Sequence, residues 1–166
     1  GGITNNAGAA LTFNGTANTA AISNSGTALF NGNLTTTGNV TNATGAVIGL
    51  AANANLSGQL INNGTFLVLG NPVNGAETAA TRTIITQGLT GSGELALGGN
   101  AGTVANTLIL DQSEGSVFAG RITGVGALTK TGLGALNLTG ASSFTGPLTV
   151  SAGSIDTTGG GTLADT

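Results

Sequence analysis

The sequence predicts an all-β chain wound as a right-handed parallel β-helix, a β-solenoid with about 20 residues per coil. Three observations carry that reading. The composition suits short strands and tight bends, an internal repeat recurs four times at nearly constant spacing, and the C-terminal third is a dense alternation of Gly and Leu.

Composition comes first because it excludes most alternatives. Of 166 residues, 31 are Gly, 39% are hydrophobic and only 5% are charged. Disordered chains combine low hydrophobicity with high net charge, and this chain does the opposite. Five Phe and no Trp or Tyr leave no large aromatic anchors for a compact globular core. Small aliphatic and β-branched residues punctuated by Gly and Asn are the mark of repeated strands and turns. Arg82, Arg121 and Lys130 are the only cations and are scattered, so no basic patch exists for nucleic acid. Absence of Cys excludes disulfides, thiolate metal sites and cysteine nucleophiles. No apolar run reaches the length of about 18 residues needed to span a bilayer, and no signal peptide is present. Targeting segments are expected elsewhere in a longer parent chain.

The repeat has the template β-branched residue, any residue, Asn, a gap, Gly, Ala or Thr, any residue, Leu or Ile. It reads Ile3-Thr-Asn5…Gly8-Ala9…Leu11, Ile22-Ser-Asn24…Gly26-Thr27…Leu29, Val40-Thr-Asn42…Gly45-Ala46…Ile48 and Ile61-Asn-Asn63-Gly64-Thr65…Leu67. The starts lie 19, 18 and 21 residues apart. Stacking such coils at about 4.8 Å turns the β-branched residue and the later Leu or Ile inward as apolar ladders. Asn is expected at a corner because it tolerates left-handed backbone, and Gly at the next corner because it lacks a Cβ. Asn5, Asn24, Asn42 and Asn63 are therefore predicted to form a structural amide ladder.

The organisation predicted is a run of coils over 1–117 and a second over 118–166. The first contains an excursion near 70–82, marked by Pro72, Asn74-Gly75 and Glu77. Strands resume at Thr83–Thr86, Glu94–Leu97 and Thr107–Leu110.

From Phe118 the pattern tightens. Phe118-Ala-Gly120 leads to Gly126-Ala-Leu128-Thr-Lys130-Thr-Gly132-Leu-Gly134-Ala-Leu136-Asn-Leu138-Thr-Gly140, and Phe144-Thr-Gly146 follows. The alternation at Leu136 and Leu138, and at Leu148 and Val150, marks half-buried strands separated by glycine bends.

This stretch, Phe118 to Ile155, resembles the passenger-associated transport repeat of bacterial type V autotransporters. The pattern Gly-x-Leu-x-Lys-x-Gly-x-Gly-x-Leu-x-Leu-x-Gly is met at each position from Gly126 to Gly140. One departure follows: the family places Asn-x-Tyr-x-Gly where this chain has Ser142-Ser-Phe144-Thr-Gly146. The resemblance implies a parallel β-helical passenger exported through an outer-membrane β-barrel in the parent chain, with this region assisting secretion and folding.

No residues assemble into a predicted catalytic, metal or cofactor site. Asp111 and Glu114 sit together in a loop and no His is available as a base near neutral pH. Gly98-Gly-Asn-Ala-Gly102 lacks the aspartate of a calcium nonapeptide, and the Gly pairs at 124/126 and 132/134 lack the third Gly of a dinucleotide fingerprint. Seven Asn-x-Ser/Thr triplets, including those at Asn42 and Asn63, follow from composition. The expectation is a non-enzymatic, surface-exposed passenger fragment acting in adhesion to host cells or matrix protein, or in self-association and biofilm. The alternative is a structural stalk that assists secretion. Neither nucleic acid nor a small-molecule substrate is expected as a partner.

Overall fold

The structure, a computed structural model, describes residues 1–68, 81–98 and 106–163. Among these residues there are 23 β-strands and no helix. Every strand-to-strand pairing is parallel and joins strands three places apart in the chain. That arithmetic defines a three-faced solenoid.

Face one begins with Ile3–Asn5, Ile22–Asn24, Val40–Asn42, Leu60–Asn62 and Leu89–Thr90. It continues through a Gly91–Phe118 bridge into Ser116–Phe118, Ala135–Leu138 and Ser154–Asp156. Face two stacks Ala10–Phe13, Thr27–Phe30, Val47–Leu50, Thr65–Leu67, Glu94–Ala96 and Arg121–Thr123. The backbone bond from Ser143 N to Ile122 O, 2.8 Å, then seats Ala141–Ser142 and after it Thr162–Leu163. Face three holds Ala17–Thr19, Leu34–Thr36, Ala54–Leu56, Thr83–Thr86, Thr107–Leu110, Ala127–Lys130 and Leu148–Val150. The expected β-helix is thus present, with successive coils in strict register.

Side chains alternate in and out along each short strand, so each face contributes apolar columns to one continuous core. Ile22, Val40, Leu60 and Leu89 line face one. Ala28, Ile48, Phe66, Leu95 and Ile122 line face two. Leu34, Ala54, Ile84, Leu108 and Leu128 line face three. All are buried. The rings of Phe13 and Phe30 stack with centroids 5.1 Å apart and 4° between planes.

The fourth repeat is shifted by one residue from its predicted alignment. Leu60, not Ile61, pairs with Val40, and Asn62, not Asn63, pairs with Asn42. The cause is an alternation in corner length. Asn5 to Ala10 and Asn42 to Val47 are long corners, whereas Asn24 to Thr27 and Asn62 to Thr65 are shorter by two residues. The same slip moves the inward position on face two, where Ala28 and Phe66 align with Leu11 and Ile48 in place of the predicted Leu29 and Leu67. A one-residue shift in a strand reverses every side chain, which is why a template with a variable gap misplaced it.

The predicted excursion near 70–82 lies mostly outside the described residues, but its end does not: Arg82 is buried, at 2% exposure. Its backbone N–H donates to Asn106 Oδ1 at 3.0 Å.

Candidate functional site

The corner between faces one and two carries the amide column. Asn5 Nδ2 donates to Asn24 Oδ1 at 2.8 Å, Asn24 to Asn42 at 2.8 Å, and Asn42 to Asn62 at 2.9 Å. The second N–H of each carboxamide reaches the first face-two carbonyl of the next coil. The acceptors are Thr27, Val47, Thr65 and Glu94, at 2.8–3.0 Å. Side-chain amides thus close the gap between sheets that the backbone ladders leave open, and all four are buried. Asn63 stands one position outside this column, where its Oδ1 accepts from Ser92 N at 3.1 Å.

None of these Asn residues is left-handed: among the described residues, positive φ occurs only at Gly. Asn is required here for its two-donor, one-acceptor amide and not for its backbone tolerance. The left-handed corner residues are Gly8 (φ 75°) and Gly45 (φ 77°), in the two long corners.

A second column, unmarked in the sequence reading, closes the corner between faces three and one. Thr36 Oγ1 donates to Gly38 O at 3.0 Å, and Thr86 Oγ1 donates to Gly88 O at 3.0 Å. Thr19 makes the same bond to Ala21 O at 3.4 Å. Lys130 occupies the equivalent position two coils below Thr86, in register with Leu110 and Val150. Its Nζ donates to Gly132 O, again two residues on. The long stem replaces the apolar side chain of its neighbours while the ammonium takes over the hydroxyl's bond. Burial pulls the Lys130 pKa below its ordinary value, and Asp111 opposes that shift. The signal that could have exposed this column was the recurrence of Thr or Lys two residues before Gly at the ends of three face-three strands, at Thr36, Thr86 and Lys130.

The remaining motif residues serve stacking. Phe118, Leu128, Leu136, Leu138 and Phe144 are buried in the core. A Cβ at Gly120, Gly126, Gly132, Gly134, Gly140 or Gly146 would lie under 3.0 Å from backbone atoms of the coil above. None of these six has positive φ. They are bends, but Gly is demanded by close approach of successive coils and not by a left-handed turn.

Asp111 and Glu114 are exposed, and Asp111 Oδ1 accepts from Thr131 Oγ1 at 3.2 Å. The single ion pair found among the described residues joins Glu94 to Arg121 of the next coil at 2.6 Å, with Thr123 Oγ1 donating to the other carboxylate oxygen at 2.9 Å. The Arg121 hydrogen bond holds Glu94 below the usual carboxylate value. No group of three or more potential metal ligands occurs among the described residues.

Sparsely charged three-faced coils, an interior amide column and Gly-mediated contact between coils define a parallel β-solenoid built for stacking. Within it, residues 128–156 match the passenger-associated-transport-repeat family, the repeat of autotransporter passengers. The match covers about one and a half coils from Leu128 onward and leaves Phe118 to Ala127 on its N-terminal side. No curated protein and no solved structure matches the chain.

Proposed function

We propose that this chain is a non-enzymatic segment of an exported autotransporter passenger, displayed at the bacterial surface, where its rod mediates adhesion to host cells or matrix, or bacterial aggregation. The observation that supports it is the coincidence of the passenger repeat at 128–156 with a solenoid that continues in register above it. A rod of stacked coils presents broad, nearly neutral faces on which small polar groups are repeated, a surface suited to contact and not to turnover.

A second reading is favoured by the regularity of the last coils. From Leu108 to Leu128 to Leu148 the step is constant at 20 residues, without insertion. Such a block is a natural place for folding to begin and propagate, so a stalk that assists secretion is the rival function. Binding of the purified protein to host cells, fibronectin, collagen and itself decides between them. Saturable binding supports adhesion or aggregation; absence of binding to all of them leaves the stalk.

A further inference from the structure

The first coils expose neither charge nor large apolar side chains, but one side of the passenger-repeat block exposes both. No Asp, Glu, Lys or Arg occurs in residues 1–76. Among the described residues, the exposed large hydrophobic side chains are Val117, Leu133, Leu148 and Val150. Leu148 and Val150 belong to the last strand of face three. Val117, 53% exposed, and Leu133, 82% exposed, lie within the stack, with coils above and below them.

Leu133 sits at the corner from face three to face one, between Gly132 and Gly134. A Cβ on either glycine would lie under 3.0 Å from the backbone of Gln112 or Glu114. The corner is therefore pressed against the coil above, and its Leu side chain is presented outward. Val117 points outward on face one, in register with Asn137, four residues after Leu133. At about 3.3 Å per strand residue the two side chains are on the order of 13 Å apart. Carboxylates surround them. Glu114 lies directly above Gly134 and makes no side-chain hydrogen bond among the described residues, and Asp111 uses Oδ1 alone, toward Thr131. Asp156 follows Val117 and Asn137 in the same outward column. The chain's own cations are elsewhere: Arg82 and Lys130 are buried, and Arg121 is held by Glu94 at 2.6 Å on face two.

We propose that this side docks a basic, partly apolar segment of another protein. Leu133 and Val117 enter its apolar surface, and Asp111, Glu114 and Asp156 face its Lys or Arg side chains. A second copy of the chain does not fit, since its described cations are buried or already engaged. Anionic partners, whether nucleic acid or phospholipid headgroups, would meet like charge. The backbone that carries Leu133 is already fixed by its flanking glycines, so little further ordering is needed when the side chain fills a pocket. The contact is small, below the roughly 800 Å² per partner of a stable complex, so binding is weak and sensitive to salt. The proposal deepens the adhesive reading by naming the partner's chemistry, and it rests on that reading only for its biological setting.

The test is a nitrogen-15 NMR titration of the whole chain with a short Lys–Leu peptide, with the Glu–Leu peptide and oligolysine as comparisons. The Lys–Leu peptide is expected to shift signals of residues 111–117 and 131–137, more weakly as salt is raised. Leu133→Ser should weaken its binding about tenfold. The double variant Asp111→Asn, Glu114→Gln should weaken it about threefold. All three positions are exposed, so these variants keep the fold, which unchanged signals from residues 22–66 verify. The Glu–Leu peptide should not bind, and oligolysine should bind more weakly than the Lys–Leu peptide. Shifts that are absent, centred elsewhere, matched by either comparison peptide, or unchanged in Leu133→Ser would overturn the docking surface. So would shifts of the same residues on concentrating the chain alone, because the ligand would then be a second copy. If the peptide fails while the chain still binds cells or matrix protein, this surface falls and the adhesive reading stands.

Discussion

Between faces one and two, the first four coils place Asn5, Asn24, Asn42 and Asn62 where the later coils place Gly91, Phe118 and Leu138. The two regions share one backbone path and solve its corner with opposite chemistry. Upstream, buried amides bond to one another and to the coil below; downstream, an aromatic ring and a Leu fill the same column by packing alone. Gly91 is the joint. It is left-handed (φ 106°), and a Cβ there would collide with the backbone of Asn62. Directional amide bonds enforce register but cost stability if one partner is lost, whereas apolar packing tolerates less precise alignment and contributes by area. The upstream block is thus specified by hydrogen bonds and the passenger-repeat block by packing.

The largest effect expected from breaking this contrast is on the packed side. Phe118→Ala removes a fully buried ring beneath Gly91, and should cost about 3–5 kcal/mol. Solenoid coils are coupled to their neighbours, so the loss should spread. Hydrogen exchange is expected to quicken in strands 89–90 and 135–138 together. If exchange changed only at residue 118 itself, the column would not be a stabilising unit.

On the amide side, Asn42→Ala deletes the donor to Asn62 Oδ1 and Thr65 O and the acceptor of Asn24. The stranded groups are buried, and the cost should be about 2–4 kcal/mol. Asn63→Ala, one position outside the column, should cost under about 1 kcal/mol. Equal costs measured by denaturant titration would refute the register described here. Asn42→Leu sharpens the comparison further, since the apolar side chain that suits the downstream column should still destabilise a column whose neighbours are Asn.

How much of this was legible in the sequence depends on whether a side chain acts within its own coil or on the next. The period, the strands near 83, 94 and 107, and the first three ladder residues follow from local alternation and spacing. Asn62 was missed because Ile61-Asn-Asn63 also satisfies a template with a flexible gap, and only pairing with Val40 and Asn42 resolves the choice. Lys130 looked like a motif residue without a task. Its task appears only when face three is stacked and it falls into line with Thr36 and Thr86. The motif glycines were legible as bends, but their steric reason lies in the coil above.

That reason gives a smaller effect. Gly134→Ala pushes a methyl group against the backbone of Glu114, so strain of about 1–3 kcal/mol is expected. Gly15→Ala meets open space without positive φ and should be close to neutral. Thermal melts of the two variants check the distinction, and a neutral Gly134→Ala would mean that the coils can part at this corner at little cost.

The smallest effects are those of pH, and both raise stability as pH rises, at opposite ends of the scale. Lys130 titrates below its ordinary 10.5 because burial disfavours its charge. Between the folded and unfolded values the unfolded chain binds more protons, so stability should rise with pH through the window just under 10.5. Lys130→Met, which keeps the stem and removes the ammonium, should abolish that rise. Glu94 acts in the same direction at the acid end, but because its charge is favoured and not penalised. Its carboxylate is held below 4.5 by Arg121, so the stabilisation is present above 4.5 and fades as pH falls through the depressed value. Glu94→Gln should flatten the acid limb alone, and Lys130→Met the alkaline limb alone. If Lys130→Met instead lowered stability equally at every pH, the bond to Gly132 O would outweigh the cost of burying the charge. Lys130 would then be a structural equivalent of Thr36 and Thr86 in energy as well as in position.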